Sequence, residues 1–83
     1  MRVLYFARFR QVIGRASDEI ALPAGVTTAG ALLDHLMARD ERCAEAFSNR
    51  KIVRVAVDQN HAALDQSIVG AKEVAFFPPV TGG

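Results

Sequence analysis

Strand-like alternation near both ends of the chain, with one long amphipathic helix between, restricts the fold more than any other feature of this sequence. Residues 1–9 are rich in Val, Leu, Tyr and Phe and predict a first strand, followed by a loop that contains Gly14. A second strand is predicted at residues 18–22, and Pro23 and Gly25 then stop it. We therefore expect the helix to follow a hairpin and to provide the crossover between parts of one sheet.

The main helix is defined by one apolar stripe, and Thr27 or Thr28 is expected to cap its start. The stripe has the spacing of a single helix face and ends near Asp40; its members are Ala29, Leu32, Leu33, Leu36 and Met37. A shorter helix is predicted at residues 41–47, with Cys43 or Phe47 turned inward. Cys43 is expected to be a small buried apolar residue rather than a reactive thiol.

The second half of the chain reads as strands again. Residues 51–58 predict a strand, residues 58–60 supply turn chemistry, and a short edge segment is predicted at residues 61–64. Gly70 precedes the last strand, residues 73–77. The resulting order, ββαβ(β)β, predicts an α+β fold with a single mixed sheet, one main helix across one face, and the first strand near the middle. The β-grasp fold fits this order best.

Alternation along the strands separates two faces of the predicted sheet. The face toward the helix is expected to carry Val3, Tyr5, Val53, Val55, Val74 and Phe76. The face away from it is expected to carry Leu4, Phe6, Ile52, Ala56, Ala75 and Phe77. No second helix of adequate length remains to cover the second set, so it predicts an apolar docking surface, unless the phase of a strand is misassigned and some of these residues are core.

Composition excludes several classes of function. Eighty-three residues make one domain, and a net charge of +1 with one Cys and two His argues against nucleic-acid binding, an internal disulfide and a protein-built metal site. The basic start of the chain, at Arg2, Arg8, Arg10 and Arg15, is interpreted as a solvated strand edge and loop. No apolar run approaches the ~18 residues of a membrane span, so a cytoplasmic protein that binds no membrane is expected.

The end of the chain is a feature that the fold does not need. Pro78 and Pro79 stop the last strand, which divides the sequence into a domain at residues 1–78 and a flexible tail at residues 79–83. Five extended residues reach roughly 17 Å, at about 3.3–3.6 Å each. Gly82 and Gly83 lack Cβ atoms, so such an end is able to enter a narrow channel and present its carboxyl group there.

Nearly the whole chain resembles the small subunit of molybdopterin synthase, a ubiquitin-like sulfur carrier. The resemblance covers the opening residues 3–8, Gly14, the helix that begins at Thr27, residues 55–57 before a polar turn, and above all residues 73–83. The sequence departs from the family pattern at the turns. Asp58 stands where the family often has Asn, Ala71 and Lys72 replace a Gly-Asp style turn, and His61 and Ala62 replace a more apolar pair.

The resemblance implies a sulfur-transfer cycle at Gly83. An E1-like adenylating enzyme would use ATP to convert the Gly83 carboxylate into an acyl-adenylate, and sulfur transfer would then give a thiocarboxylate. The tail would enter the large subunit of the synthase and donate sulfur to cyclic pyranopterin monophosphate, forming the molybdopterin dithiolene. The chain itself would be a non-catalytic, sulfur-donating subunit that binds no cofactor and no metal, in a heterotetramer with the large subunit.

The resemblance also assigns residues to these roles. The tail that enters the partner would consist of Pro79, Val80, Thr81, Gly82 and Gly83. The contacts with partner proteins would be made by Phe6, Phe77, Pro78 and His61, and alternation independently places Phe6 and Phe77 on the outer face.

Three alternatives remain open at the level of sequence. The first is the related sulfur carrier of thiamine biosynthesis, which tends to be shorter and lacks the Phe-Phe-Pro-Pro close. The second is a carrier for another pathway, or a ubiquitin-like modifier joined through Gly83 to lysines. The third is a β-grasp binding module whose tail is chemically inert.

Overall fold

The protein was analysed as a computed structural model that describes residues 1–79. Its helices and strands are, in chain order, β1 (Arg2–Tyr5), α1 (Ala7–Ile13), β2 (Ser17–Glu19), α2 (Ala29–Arg39), α3 (Glu41–Ala46), a 3₁₀ turn (Arg50–Ile52), β3 (Arg54–Val57), β4 (Asn60–Ala62) and β5 (Glu73–Phe77). Within residues 1–79, no helix combines the length and the apolar character that crossing a bilayer requires.

The strands form one mixed sheet in the order β2-β1-β5-β3-β4. β1 and β5 pair in parallel, and the other neighbours pair antiparallel. β5 is therefore the central strand, and β1 lies beside it in the interior of the sheet, as predicted. Buried residues of α2 join those of β1, β3 and β5 in one hydrophobic core, so the predicted α+β arrangement with a helix across one face is confirmed.

Several elements were predicted closely. Thr28 caps α2, since its Oγ1 accepts a hydrogen bond of 3.1 Å from the backbone N–H of Ala31. Asp40 ends α2 and caps α3, and β5 has the predicted bounds. Asp58 and Gln59 form the turn between β3 and β4 with positive φ angles of 48° and 69°, the geometry that a two-residue hairpin turn requires.

The first strand was predicted too long, and helix α1 was missed. The strand pattern continued to Phe9, but β1 ends at Tyr5, and Phe9 instead lies on a helix with Ile13 one turn later, both of them buried. Burying this i, i+4 pair in the core favours the helix over continued extension. Ala7, the first residue of α1, is exposed, and Gly14 ends α1 at a φ of 85°.

Two other strands begin or end elsewhere because a strand requires a partner. β2 is Ser17–Glu19 rather than residues 18–22. Glu19 pairs with Arg2, and Ile20 exchanges backbone hydrogen bonds of 3.0 and 3.1 Å with Met1, but residues 21–22 pair with no strand. β3 begins at Arg54 rather than at residue 51, because β5 ends at the residue that pairs with Arg54. The preceding residues form a 3₁₀ turn, and the side chain of Asn49 accepts a hydrogen bond from the N–H of Lys51 there.

Phe47 is the centre of the aromatic core. Its ring centroid lies 5.0 Å from that of Phe9, 5.4 Å from that of Phe76 and 6.2 Å from that of Tyr5, so one residue after α3 joins α1, β5 and β1. Phe47 and Cys43 are both fully buried, as predicted for one or the other. Burial raises the pKa of the Cys43 thiol, which disfavours the thiolate.

A polar network joins the hydroxyl end of Tyr5, whose ring contacts Phe47, to β2 and the helices. The Tyr5 hydroxyl donates to Asp18 at 2.7 Å, and Arg15 donates from Nε to the same carboxylate at 2.8 Å and from Nη2 to Asp40 at 2.6 Å. Burial raises the pKa of Asp18, but the hydrogen bonds from Arg15 and Tyr5 outweigh it and hold that pKa below its usual range. The network thus ties β1 and β2 to the junction between α2 and α3.

Replacement of Tyr5 by Phe should lower the free energy of unfolding by about 1.5 kcal/mol, because it deletes a partly buried hydrogen bond to a carboxylate. The ring and its contact with Phe47 remain in this variant. Urea unfolding at neutral pH measures the change. An unchanged midpoint would show that the Tyr5–Asp18 bond contributes nothing net.

Acid should weaken the fold through Asp18. A carboxyl group with a lowered folded-state pKa stabilises the native state above its unfolded value, ~3.9, and this contribution is lost as the pH falls through the folded value. Stability should therefore be flat from pH 7 to about pH 5 and fall below about pH 4. Asp18→Asn should flatten this fall in urea titrations, whereas the exposed Asp65→Asn control should keep the wild-type slope. Equal slopes for all three proteins would contradict the assignment.

Candidate docking face and tail

The parallel pairing of β1 and β5 brings two predicted contact residues to one edge of the sheet. Parallel strands end at the same edge, so Phe6, which follows β1, lies beside the end of β5. The backbone N–H of Phe6 donates to the carbonyl of Phe76 at 3.2 Å, and Phe77 is the next residue. The described chain continues from there through Pro78 to Pro79. Phe6, Phe77 and Pro78 therefore meet where the chain leaves the sheet.

The face of the sheet away from the core carries a row of small and apolar side chains. Leu4 pairs with Ala75, Ala75 with Ala56, and Ala56 with His61, so the four residues lie side by side across four strands. Ala56 and Ala75 have little exposed surface, yet neither belongs to the core cluster on the other side. This row is the centre of what we call the outer face, which consists of Leu4, Phe6, Ala56, His61, Ala75 and Phe77.

The outer face differs from its prediction at two residues, because it includes His61 and lacks Ile52. Ile52 was expected on it as part of a strand, but it lies in the 3₁₀ turn and packs against the core cluster. Phe6 is 46% exposed, an unusual state for a phenylalanine, while Leu4 and Phe77 are half-buried. The exposed aromatic surface is thus concentrated at the edge where β1 and β5 end.

His61 is brought to Phe77 by the hairpin of β3 and β4. Their ring centroids lie 5.3 Å apart at an interplanar angle of 69°, an edge-to-face contact. His61 itself is exposed. The structure therefore unites the predicted contact residues Phe77 and His61, although the loop between β4 and β5 separates them in the sequence.

Ala7 holds Phe6 at this edge through an uncommon backbone conformation. Its φ angle is 51°, in the left-handed region that non-glycine residues rarely adopt and that costs on the order of 1–3 kcal/mol. The reversal ends β1 and starts α1, while Phe6 keeps an extended conformation with its ring exposed. No sequence pattern signalled this turn, because alanine carries no preference for positive φ.

The tail could be followed only in part. Pro78 and Pro79 are half-buried and lie outside any helix or strand. The predicted tail residues Val80, Thr81, Gly82 and Gly83 lie outside the described residues, so the roles assigned to them and the domain boundary at residue 78 stay predictions.

Comparison with known proteins identifies the family. The profile of the ThiS family matches residues 3–83. The molybdopterin synthase sulfur carrier subunit of Escherichia coli (strain K12) is 40% identical over 83 residues, which cover 100% of this chain and 99% of that protein. The subunit of the same name from Haemophilus influenzae is 39% identical over 83 residues, with the same coverage.

A solved structure agrees with the fold. The crystal structure of SAMP1 from Haloferax volcanii superposes with a TM-score of 0.73 at 26% identity, covering 99% of this chain and 97% of that one. A crystal structure of H. volcanii small archaeal modifier protein 1 superposes with a TM-score of 0.70 at the same identity, covering 95% of each chain. This likeness confirms the predicted ubiquitin-like β-grasp fold. The resemblance to the small subunit of molybdopterin synthase is confirmed as well: the chain belongs to the ThiS family, and the full-length relatives that it matches are sulfur carrier subunits of molybdopterin synthase.

Proposed function

We propose that this chain is the sulfur-carrier subunit of a molybdopterin synthase and that the carboxyl group of Gly83 carries the sulfur. One observation carries the proposal: the match to molybdopterin synthase sulfur carrier subunits runs through the whole chain, and the family profile extends to residue 83. The Gly-Gly end is therefore part of the matched sequence and not an addition to it.

The proposed chemistry begins with activation, because a carboxylate is a poor electrophile. An E1-like adenylating enzyme binds ATP, the Gly83 carboxylate attacks the α-phosphorus, and pyrophosphate leaves. A sulfur donor then displaces AMP from the acyl-adenylate and leaves a thiocarboxylate on Gly83. The large subunit takes up the tail, and the sulfur is transferred to cyclic pyranopterin monophosphate to build the molybdopterin dithiolene.

The geometry of the described residues supports a presenting role. The central strand β5 leads directly into Pro78 and Pro79, and the exposed ring of Phe6 and the half-buried ring of Phe77 lie where that strand ends. A partner that covers these rings is positioned to receive the residues that follow Pro79. In this proposal the partner is the large subunit, two copies of each chain form a heterotetramer, and the complex works in the cytoplasm.

A second candidate function is protein modification. The structure of H. volcanii small archaeal modifier protein 1 superposes on this chain with a TM-score of 0.70, and that protein is named as a modifier. Gly83 would then be joined to lysine side chains of target proteins after the same adenylation. Lys72 is the last basic residue of the chain, so trypsin would leave residues 73–83 on each modified lysine. Peptide mass spectrometry of cell extracts separates the two functions.

Incubation with the adenylating enzyme, ATP and a sulfur donor should raise the intact mass of the chain by the difference between sulfur and oxygen. The reaction without ATP should leave the mass unchanged. Deleting Gly83, or adding one alanine after it, should abolish the gain while the melting temperature stays at the wild-type value. An unmodified wild type would overturn the proposal and favour an inert binding module, whereas a modified terminus in the extended variant would show that activation does not require Gly83 as the last residue.

Phe77→Asp should weaken binding to the large subunit by at least ~2 kcal/mol, about 30-fold in Kd, because it places a charge in a desolvated anchor position. Val69→Asp is the matched control, since Val69 is 71% exposed in the loop before β5 and should bind as wild type. Calorimetric titration measures both. Wild-type affinity in Phe77→Asp would contradict the role of the outer face, and unfolding of this variant would assign Phe77 to the core, where the fully buried Phe76 lies.

A further inference from the structure

Three cations beside the exposed edge of the outer face have no carboxylate partner among residues 1–79. They are Arg8, Lys51 and Arg54, and all three are exposed. Ion pairs elsewhere in the described chain neutralise Arg2 with Glu19, and Arg50 with Asp34. Arg10, Arg39, Arg42 and Lys72 also form no ion pair among residues 1–79, so Arg8, Lys51 and Arg54 are distinguished by their position beside Phe6 and Phe77.

Arg54 and Lys51 lie on one side of Phe77. Arg54 is the direct ladder partner of Phe77, so both side chains leave the sheet on the same face. The Arg54 guanidinium donates from Nη1 to the carbonyl of Lys51 at 2.9 Å. This bond places a guanidinium against the 3₁₀ turn, on the face of the sheet that carries Phe77.

Arg8 lies on α1, which begins at the same edge. It follows Phe6 by two residues and lines, together with Ile52, a groove of about 290 Å³ between α1, α3 and the 3₁₀ turn. Glu45 also lines this groove, but it forms no ion pair with Arg8 among the described residues. Glu45 shares this groove with Arg8 but not with Lys51 or Arg54, so the three cations outnumber the carboxylate and the local charge is positive, whereas the whole chain carries only +1.

We propose that Arg8, Lys51 and Arg54 form a cationic rim that steers the outer face onto a partner protein whose docking surface presents Asp and Glu side chains around an apolar centre. The inference rests on the proposed function, and the partner tested is the large subunit. An apolar centre with a charged rim is the usual anatomy of a protein interface, and rim charges act mainly on the association rate. A polyanionic nucleic acid would satisfy the charges equally well, but it would leave the apolar centre without a partner.

The test compares association rates of the full chain with the large subunit of the same organism, by stopped-flow, between about 50 and 500 mM NaCl. The rim variant replaces Arg8, Lys51 and Arg54 by Gln. The matched control makes the same change in charge at Arg39, Arg42 and Lys72, three exposed residues distant from the outer face. A third variant, Arg8→Lys with Arg54→Lys, keeps the charge and changes the shape.

The wild-type association rate should fall about tenfold across this range of salt. The rim variant should associate about tenfold more slowly than wild type at low salt and lose most of its salt dependence, while the control and the lysine variant should follow the wild type. Melting temperatures should agree among all four proteins.

Three results would overturn the rim. In the first, the rim variant associates with the large subunit at the wild-type rate and with the wild-type salt dependence. In the second, the control variant associates as slowly as the rim variant. In the third, the wild type and the control variant bind single-stranded DNA and the rim variant does not. If the wild type binds the large subunit at a rate that does not depend on salt, the cationic rim is refuted and the proposed function stands. If the wild type does not bind the large subunit at any salt concentration, both the cationic rim and the proposed function are refuted.

Discussion

The parallel ladder between β1 and β5 is the constraint from which the rest of this protein follows. It joins the start of the chain to its last strand, from Arg2 and Glu73 to Tyr5 and Phe76, and makes β5 the centre of the sheet. Because the two strands run in one direction, everything that follows them gathers at one edge. The exposed ring of Phe6, the half-buried ring of Phe77 and the start of the tail are neighbours for this single topological reason.

Two further sets of contacts hold β1 in the ladder, and both involve the side chain of Tyr5. Phe47 fills the space between α1 and the sheet and touches rings from three elements, so that a short helix after β1 becomes part of the core. Arg15 joins Asp18 of β2 to Asp40 between two helices, across 25 residues of sequence. Both contacts lie close to the end of β1, so they fix the edge of the sheet from which the proposed tail would leave.

What could be predicted from the sequence depended on whether local chemistry or a distant partner decides the structure. The stripe of α2 and the capping Thr28 are local signals, and Gly70 and Pro78 enclose β5, so those elements were found. Helix α1 depends on the burial of Phe9 and Ile13 and on a positive φ at Ala7. The alternation of β1 continues through Ala7 and Phe9, so the sequence pattern alone favours a longer strand. Burial of Phe9 and Ile13 in the core outweighs this local strand preference, so the segment is helical.

The same distinction applies to the site. Phe6 and Phe77 were found because alternation and family resemblance agree on them. The contact of His61 with Phe77 depends on the register of β4, and the position of Arg54 beside Phe77 depends on the register of β3. Which arginines remain without a carboxylate is known only after every ion pair has formed, so the first basic residues of the chain read as plain solvated charges until the fold is assembled.

The central position of β5 has a mechanical consequence. A partner that pulls on the end of the chain loads a strand that is hydrogen-bonded on both sides, to β1 and to β3, along its own axis. Under such a shearing load the rungs share the tension and must fail together, whereas a strand at the margin would peel away one rung at a time. In the proposed function, each release of the tail from the large subunit would apply such a load, and the two ladders of β5 would resist it together.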